Sequence, residues 1–282
     1  MSKTERLVDG LCFPEGPRWR EGWLWFSDMH APKVLRVDES GKLEDIVTVP
    51  GRPSGLGWLP DGRLVIVSMT DRRLLTLETD GSLAEYADLG AIATHDCNDM
   101  VIDGKGRAYV GNFGSELVLP DPPAPASLAL VTPDGVVHEA AQDLLFPNGS
   151  VITPDGSTLI VGESFGERLS AFDIAPDGSL ANRRVFAQRK GVMPDGCCLD
   201  AAGGIWVASP FSGREVLRMV EGGEVTDRVS CQGDPFACML GGSDGRTLFV
   251  CVAESADPAE CIEQRAGAIE VARVEIAHAG LP

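Results

Sequence analysis

The sequence predicts an all-β fold, a six-bladed β-propeller with four antiparallel strands per blade and the N- and C-terminal strands closing one blade. Three observations predict it: a phrase repeated six times, paired turn signals within each copy, and short apolar runs between them. The copies are Pro14-Glu15-Gly16-Pro17-Arg18-Trp19, Pro53-Ser54-Gly55-Leu56-Gly57-Trp58, Cys97-Asn98-Asp99-Met100-Val101-Ile102, Pro147-Asn148-Gly149-Ser150-Val151-Ile152, Pro194-Asp195-Gly196-Cys197-Cys198-Leu199 and Pro235-Phe236-Ala237-Cys238-Met239-Leu240. Their second residues fall at 15, 54, 98, 148, 195 and 236, with gaps of 39, 44, 50, 47 and 41. A period in that range with strand composition marks a propeller blade.

Each copy leads into a turn, often with Asp-Gly: Pro60-Asp61-Gly62, Asp103-Gly104, Pro154-Asp155-Gly156 and Asp244-Gly245. Gly accepts positive φ and Asp bonds to nearby backbone, which is what tight hairpins require. A β-rich run follows in every copy, for example Trp23-Leu24-Trp25-Phe26, Leu159-Ile160-Val161 and Leu248-Phe249-Val250. These runs are apolar on both faces, as strands between neighbouring sheets should be. A second set of turns, such as Asp80-Gly81 and Pro176-Asp177-Gly178, closes an outer hairpin, giving four strands per unit. The runs Arg6-Leu7-Val8 and Ile269–Val274 are both strand-like and are expected to share the last blade, because a closed ring exposes no edge.

The repeat runs from residue 14 to residue 250 without a change of character, so residues 1–282 are read as one domain. The proline-rich stretch at 119–126 suits a surface loop or a lid over one end of the channel, not a central strand. With 24 basic against 42 acidic residues the formal charge is −18, which argues against nucleic acid and anionic membrane as partners. No apolar stretch is long enough to span a bilayer. The polar start carries no secretory signal. Most of the eight cysteines read as small core residues of a reduced, cytoplasmic protein.

The registered positions carry the chemistry. A closed ring brings equivalent positions of its blades together around one axis, and here they are Glu15, Ser54, Asn98, Asn148, Asp195 and Phe236. Glu15, Asn98, Asn148 and Asp195 offer two carboxylates and two carboxamides, all hard oxygen donors with a charge that balances one divalent cation. That set favours Ca²⁺, with Mg²⁺, Mn²⁺ or Zn²⁺ as alternatives. Taken singly, each Asx or Glu also suits a turn cap; four in register point to a site. Ser54 is positioned to touch a ligand or water, and Phe236 to form an apolar wall. Asp99 is read as orienting a ligating Asn or satisfying a turn. His95, on the loop before Asn98, is a candidate substrate contact or a solvated loop residue. None of Ser27, Ser164 and Ser209 sits in a nucleophile elbow.

Together these residues resemble the senescence marker protein, gluconolactonase and luciferin-regenerating enzyme family, to which regucalcin belongs. The resemblance is carried by Glu15-Gly16-Pro17-Arg18-Trp19, Asn98-Asp99 with Asp103 and Gly106-Arg107, and Pro147-Asn148-Gly149. Ser170-Ala171-Phe172-Asp173, Asn182-Arg183-Arg184-Val185-Phe186 and Pro194-Asp195-Gly196 with Asp200 complete it. It implies a propeller with one divalent cation in its tunnel and a lactone-hydrolase activity. By motif the ligands would be Glu15, Asn148 and Asp195, with Asn98 at a fourth place as ligand or substrate contact. Asp195 is the expected general base, with a metal-bound hydroxide as the open variant. Sugar-lactone members often carry Arg two residues before the Asn-Asp pair. Here that position is Asp96, so polyol lactones are the less expected substrates. Phe113, Phe165, Met193 and Phe211 are candidate mouth residues for a less polar lactone. The expected partner is therefore a small-molecule lactone, and the chain a monomer or weak homo-oligomer. Two alternatives stay open: a phosphotriesterase or fluorophosphatase on the same site, and a non-catalytic calcium-binding platform.

Overall fold

Strand after strand folds back on its predecessor, and each group of four forms one blade. The computed structural model describes residues 2–116 and 124–280, and among them are six blades of four antiparallel strands, one of which gains a short fifth strand at its outer edge. Blade 1 holds Pro14–Arg20, Trp23–Asp28, Lys33–Asp38 and Leu43–Thr48, ordered from the axis outward. Blades 2, 3 and 4 repeat this pattern from their inner strands Pro53–Trp58, Cys97–Ile102 and Pro147–Ile152. Blade 5 begins with the short strand Cys197–Leu199 and blade 6 with Asp234–Gly241. Each inner strand touches the next, and that of blade 6 touches that of blade 1, so the ring is closed.

Closure is made as expected, by the two ends of the chain. Glu5–Leu11 pairs antiparallel with Gly267–Arg273 as the outermost strand of blade 6. Ahead of it, Ser2–Lys3 pairs parallel with the outer strand Val225–Ser230 of blade 5. The core lies between the blades: Leu24 and Phe26 of blade 1, Phe249 and Val250 of blade 6 and Trp206 of blade 5 belong to one buried cluster. This is why the second strand of each blade is apolar on both faces.

The inner strands are not regular, and their irregularity sets the site. In five of them the pairing with the second strand slips at the registered residue: Glu15/Arg18, Pro53/Leu56, Cys97/Met100, Pro147/Ser150 and Pro235/Ala237. A bulge re-aims a side chain out of the sheet's alternation, and here it frees the second residue of those five phrases to turn inward, while Asp195 lies just ahead of its short inner strand. The Gly that follows has a matching cause. A Cβ on Gly149 would lie 2.4 Å from the Asp195 carbonyl oxygen of the next blade, and one on Gly16, already at φ +56°, 2.5 Å from the Ser54 carbonyl oxygen. The Asn-Gly and Asp-Gly pairs of the repeat therefore permit adjacent inner strands to approach backbone to backbone.

Three expectations need comment. An α-helix, Pro258–Gln264, interrupts the β pattern between the last two strands of blade 6, and nothing in the repeat foretold it. Its signal is local: Asp257 accepts bonds from the amides of Ala259 and Glu260, and Pro258 starts the helix. All eight cysteines are free thiols, and Cys97, Cys198 and Cys238 lie in inner strands as expected. The proline-rich stretch lies largely outside the described residues. No helix among those described is long and apolar enough to cross a membrane.

Candidate metal centre and active site

The registered residues converge. Glu15, Ser54, Asn98 and Asn148 are buried, and Asp195 keeps part of its surface open. A directed chain of hydrogen bonds links four blades around the axis. Ser54 Oγ donates to Asn98 Oδ1 (3.1 Å), Asn98 Nδ2 to Asn148 Oδ1 (2.9 Å), Asn148 Nδ2 to Ser164 Oγ (3.1 Å), and Ser164 Oγ to the Pro194 carbonyl (2.7 Å). The direction is fixed at its end. A carbonyl can only accept, so the Ser164 hydroxyl spends its proton there and must receive one from Asn148. Asn148 also donates to Asp195. Glu15 receives the amide of Gly16 at 2.7 Å and feels the charge of Asp195.

Both carboxylates are held uphill. Burial, then the neighbouring Asp195 charge, pushes the Glu15 carboxyl well above the usual range. Burial pushes Asp195 up to about 8, against the pull of its bond from Asn148. Two close carboxylates in a low-dielectric wall are costly without a counter-charge. Arg18 supplies little of it, its pull on Glu15 being the smallest of the influences on that carboxyl. Arg18 Nη2 is committed to Asp99 Oδ1 at 2.8 Å, and both side chains are 5% exposed. This buried pair ties blade 1 to blade 3 and corrects the reading of Asp99, which neither orients an Asn nor caps a turn alone. Asp103 and Asp200, which carried part of the resemblance, are also structural: they pair with Arg107 and Arg218.

The donor set fits a hard divalent cation. Glu15, Asn148 and Asp195 would hold it through oxygen, and two carboxylates would match its charge. No group of three His, Cys, Asp or Glu suited to a metal occurs among the described residues, so such a centre here depends on the two carboxamides. Asn98 turns its Nδ2 to Asn148 and its Oδ1 to Ser54.

The other predicted residues rim the mouth where the inner strands begin. The Asp96 carbonyl accepts the amide of Phe113 at 3.0 Å. His95 Nδ1 lies 3.9 Å from Asp96 Oδ1 and has no hydrogen-bond partner among the described residues. Phe113 and Phe165 flank Phe146, with ring centroids 4.8 and 5.2 Å away. Phe211 meets Phe236 edge-on at 5.7 Å, and Phe236 meets Phe13 at 4.6 Å. The opposite end opens into a cavity of about 700 Å³ lined by Trp58, Lys105, Arg107 and Asp155, among others. It contains no predicted site residue.

A scan of family models matches the SMP-30/gluconolactonase/LRE-like region over residues 13–254. The chain belongs to this family. Regucalcin of Bos taurus is 27% identical over 264 residues, covering 89% of this chain and 86% of the relative. Pentonolactonase XacC of Haloferax volcanii is 27% identical over 262 residues, covering 88% and 84%. Among solved structures, a calcium-binding regucalcin from Agrobacterium tumefaciens superposes with a TM-score of 0.82 at 21% identity, covering 100% of this chain and 96% of that one. That likeness bears on the fold, the same six-bladed ring.

Sequence reasoning missed Ser164, Phe13 and Phe146. Ser164 sits outside any nucleophile elbow and outside the repeated phrase, yet it holds the Asn148 carboxamide. Losing such a support costs roughly 10–100-fold in metal affinity. Ser164→Ala is therefore expected to weaken Ca²⁺ or Mn²⁺ binding by about that factor, read by calorimetry, and Ser164→Thr to restore most of it. Equal affinity in the Ala variant would remove Ser164 from the centre.

Proposed function

We propose that this protein is a divalent-cation-dependent hydrolase that opens lactone rings, with Asp195 as general base. The observation that carries the reading is the convergence of one buried and one half-buried carboxylate with two buried carboxamides on one axis. The names of relatives, a pentonolactonase and a calcium-binding regucalcin, support its two halves. A bound cation would polarise the ester carbonyl and favour charge on its oxygen, a contribution of several kcal/mol.

The chain's own residues do the rest. Glu15, Asn148 and Asp195 present the oxygens that hold the cation, with Asn148 kept in one orientation by Ser164. Asn98 supplies an amide N–H edge beside that position and orients the ester. Asp195, the donor that keeps part of its surface open, takes the proton of the attacking water and returns it to the departing alkoxide. The Arg18–Asp99 pair keeps the floor rigid beneath them.

The test is a hydrolysis panel of lactones and a phosphotriester, run after thorough chelation and again with Ca²⁺, Mg²⁺, Mn²⁺ or Zn²⁺ restored. Lactone opening that vanishes on chelation and returns with one cation is the expected result. Activity that survives chelation ends the cation role. Calcium binding without turnover of any ester would leave a calcium-binding platform instead.

A further inference from the structure

Six of the chain's ten phenylalanines stand at the mouth beside the oxygen donors: Phe13, Phe113, Phe146, Phe165, Phe211 and Phe236. Phe13 and Phe236 are buried in a hydrophobic cluster against which Phe113 packs, Phe146 and Phe165 are half-buried, and Phe211 is exposed. They form two clusters. Phe146 sits between Phe113 and Phe165, from blades 3 and 4, and Phe236 between Phe13 and Phe211, from blades 1, 5 and 6. The rings are tied to the same bulges as the donors. Phe13 and Phe146 precede Glu15 and Asn148 by two residues with a Pro between, and Phe236 occupies the registered position itself.

Two of these residues cost the fold energy. Phe146 has φ 59° and Phe211 φ 61°, in the left-handed region that bulky side chains avoid. Each such residue costs on the order of 1–3 kcal/mol and persists where the surroundings dictate it. Around Phe146 they do: the Ser164 amide donates to the Phe146 carbonyl and the Phe165 amide to that of Leu145. Phe211 is 63% exposed. A strained backbone that holds a phenyl ring largely in water contributes little to stability, so its benefit lies elsewhere. The polar side of the same mouth carries Asp96, whose carboxylate only accepts.

Resting on the lactone reading above, we infer that the substrate is a lactone bearing an aromatic or similarly bulky apolar substituent, gripped between the two phenylalanine clusters. A phenyl group against such rings gains from edge-to-face or offset contact beyond its burial. A polyol of equal size would strand its hydroxyls against apolar walls.

The experiment compares γ-phenyl-γ-butyrolactone, unsubstituted γ-butyrolactone and glucono-δ-lactone on the cation-loaded protein and on Phe211→Ala and Phe165→Ala. The phenyl lactone should show at least about tenfold higher kcat/KM than either other substrate. In each variant KM for the phenyl lactone should rise about tenfold with little change in kcat, so the preference over γ-butyrolactone collapses. Preferential hydrolysis of gluconolactone, or a phenyl preference untouched in both variants, overturns the inference and leaves the lactonase reading standing. If no lactone is hydrolysed, the lactonase reading fails, and calorimetry of 4-hydroxy-4-phenylbutanoate against 4-hydroxybutanoate decides the aromatic grip alone. Tighter binding of the phenyl acid that is lost in Phe211→Ala supports it; equal binding ends it.

Discussion

Asp195→Asn is expected to lower lactone turnover by about 10³-fold or more while the folded protein persists. A general base contributes roughly 10²–10⁴ in rate, and this side chain is also a proposed cation donor, so the two losses compound. The isosteric amide keeps the packing of the blade 4–blade 5 contact, where Gly149 would tolerate no displacement of the Asp195 backbone. Stability should move the other way. Burial holds the Asp195 carboxyl up to about 8, so its ionised form is a burden to the metal-free protein at pH 8, and removing the charge should raise the thermal midpoint there. Kinetics with and without saturating Ca²⁺, paired with a melting curve, check both halves. Turnover within tenfold of wild type would remove Asp195 from the chemistry.

The contrast between Asp195 and Asp99 shows what a sequence can and cannot display. Periodicity is a property of the chain, so the six phrases, their turns and the closing strands were legible before any coordinate. The convergence of Glu15, Asn98, Asn148 and Asp195 followed from rotational symmetry alone. The use of each oxygen did not, because pairing depends on which side chain lies across the axis. Asp99 is taken by Arg18, 81 residues away, and Asp103 and Asp200 by arginines on their own sheets. Ser164 lies outside the repeated phrase, so register could not flag it. The Phe-Pro step before Glu15 and Asn148 was visible, but its meaning required knowing that the bulge turns both residues toward one mouth. The helix Pro258–Gln264 has a legible cap in Asp257-Pro258, overlooked because the blade pattern dominated.

The contribution of Glu15 and Asp195 to the stability of the metal-free protein should fall as pH rises from about 4 to about 8, and a divalent cation should restore it. Glu15 and Asp195 both have folded pKa values raised above those of the unfolded chain, chiefly by burial. Groups of that kind contribute their full stability below the unfolded value, near 4, and lose it as pH climbs through the folded value. In that window these two groups bind more protons in the native state than in the unfolded one, so the slope of their contribution is negative. With the partial exposure of Asp195 discounted, the loss is on the order of a few kcal/mol. Other groups act in the opposite sense: Glu163, held at about 2 by Arg168, Ser170 and Arg183 despite its burial, does so at lower pH, and His30, pushed down to about 4 chiefly by burial, does so within the window. The difference between wild type and Glu15→Gln therefore isolates the centre. At pH 8, Ca²⁺ at a hundred times its Kd should return about 2.7 kcal/mol to wild type, with protons released on binding, and far less to Glu15→Gln. Thermal midpoints of chelated and Ca²⁺-loaded protein from pH 4 to 8 make the measurement. A wild-type profile parallel to that of Glu15→Gln, or a Ca²⁺ response equal in the two, would mean that the paired carboxylates are not where the cation binds.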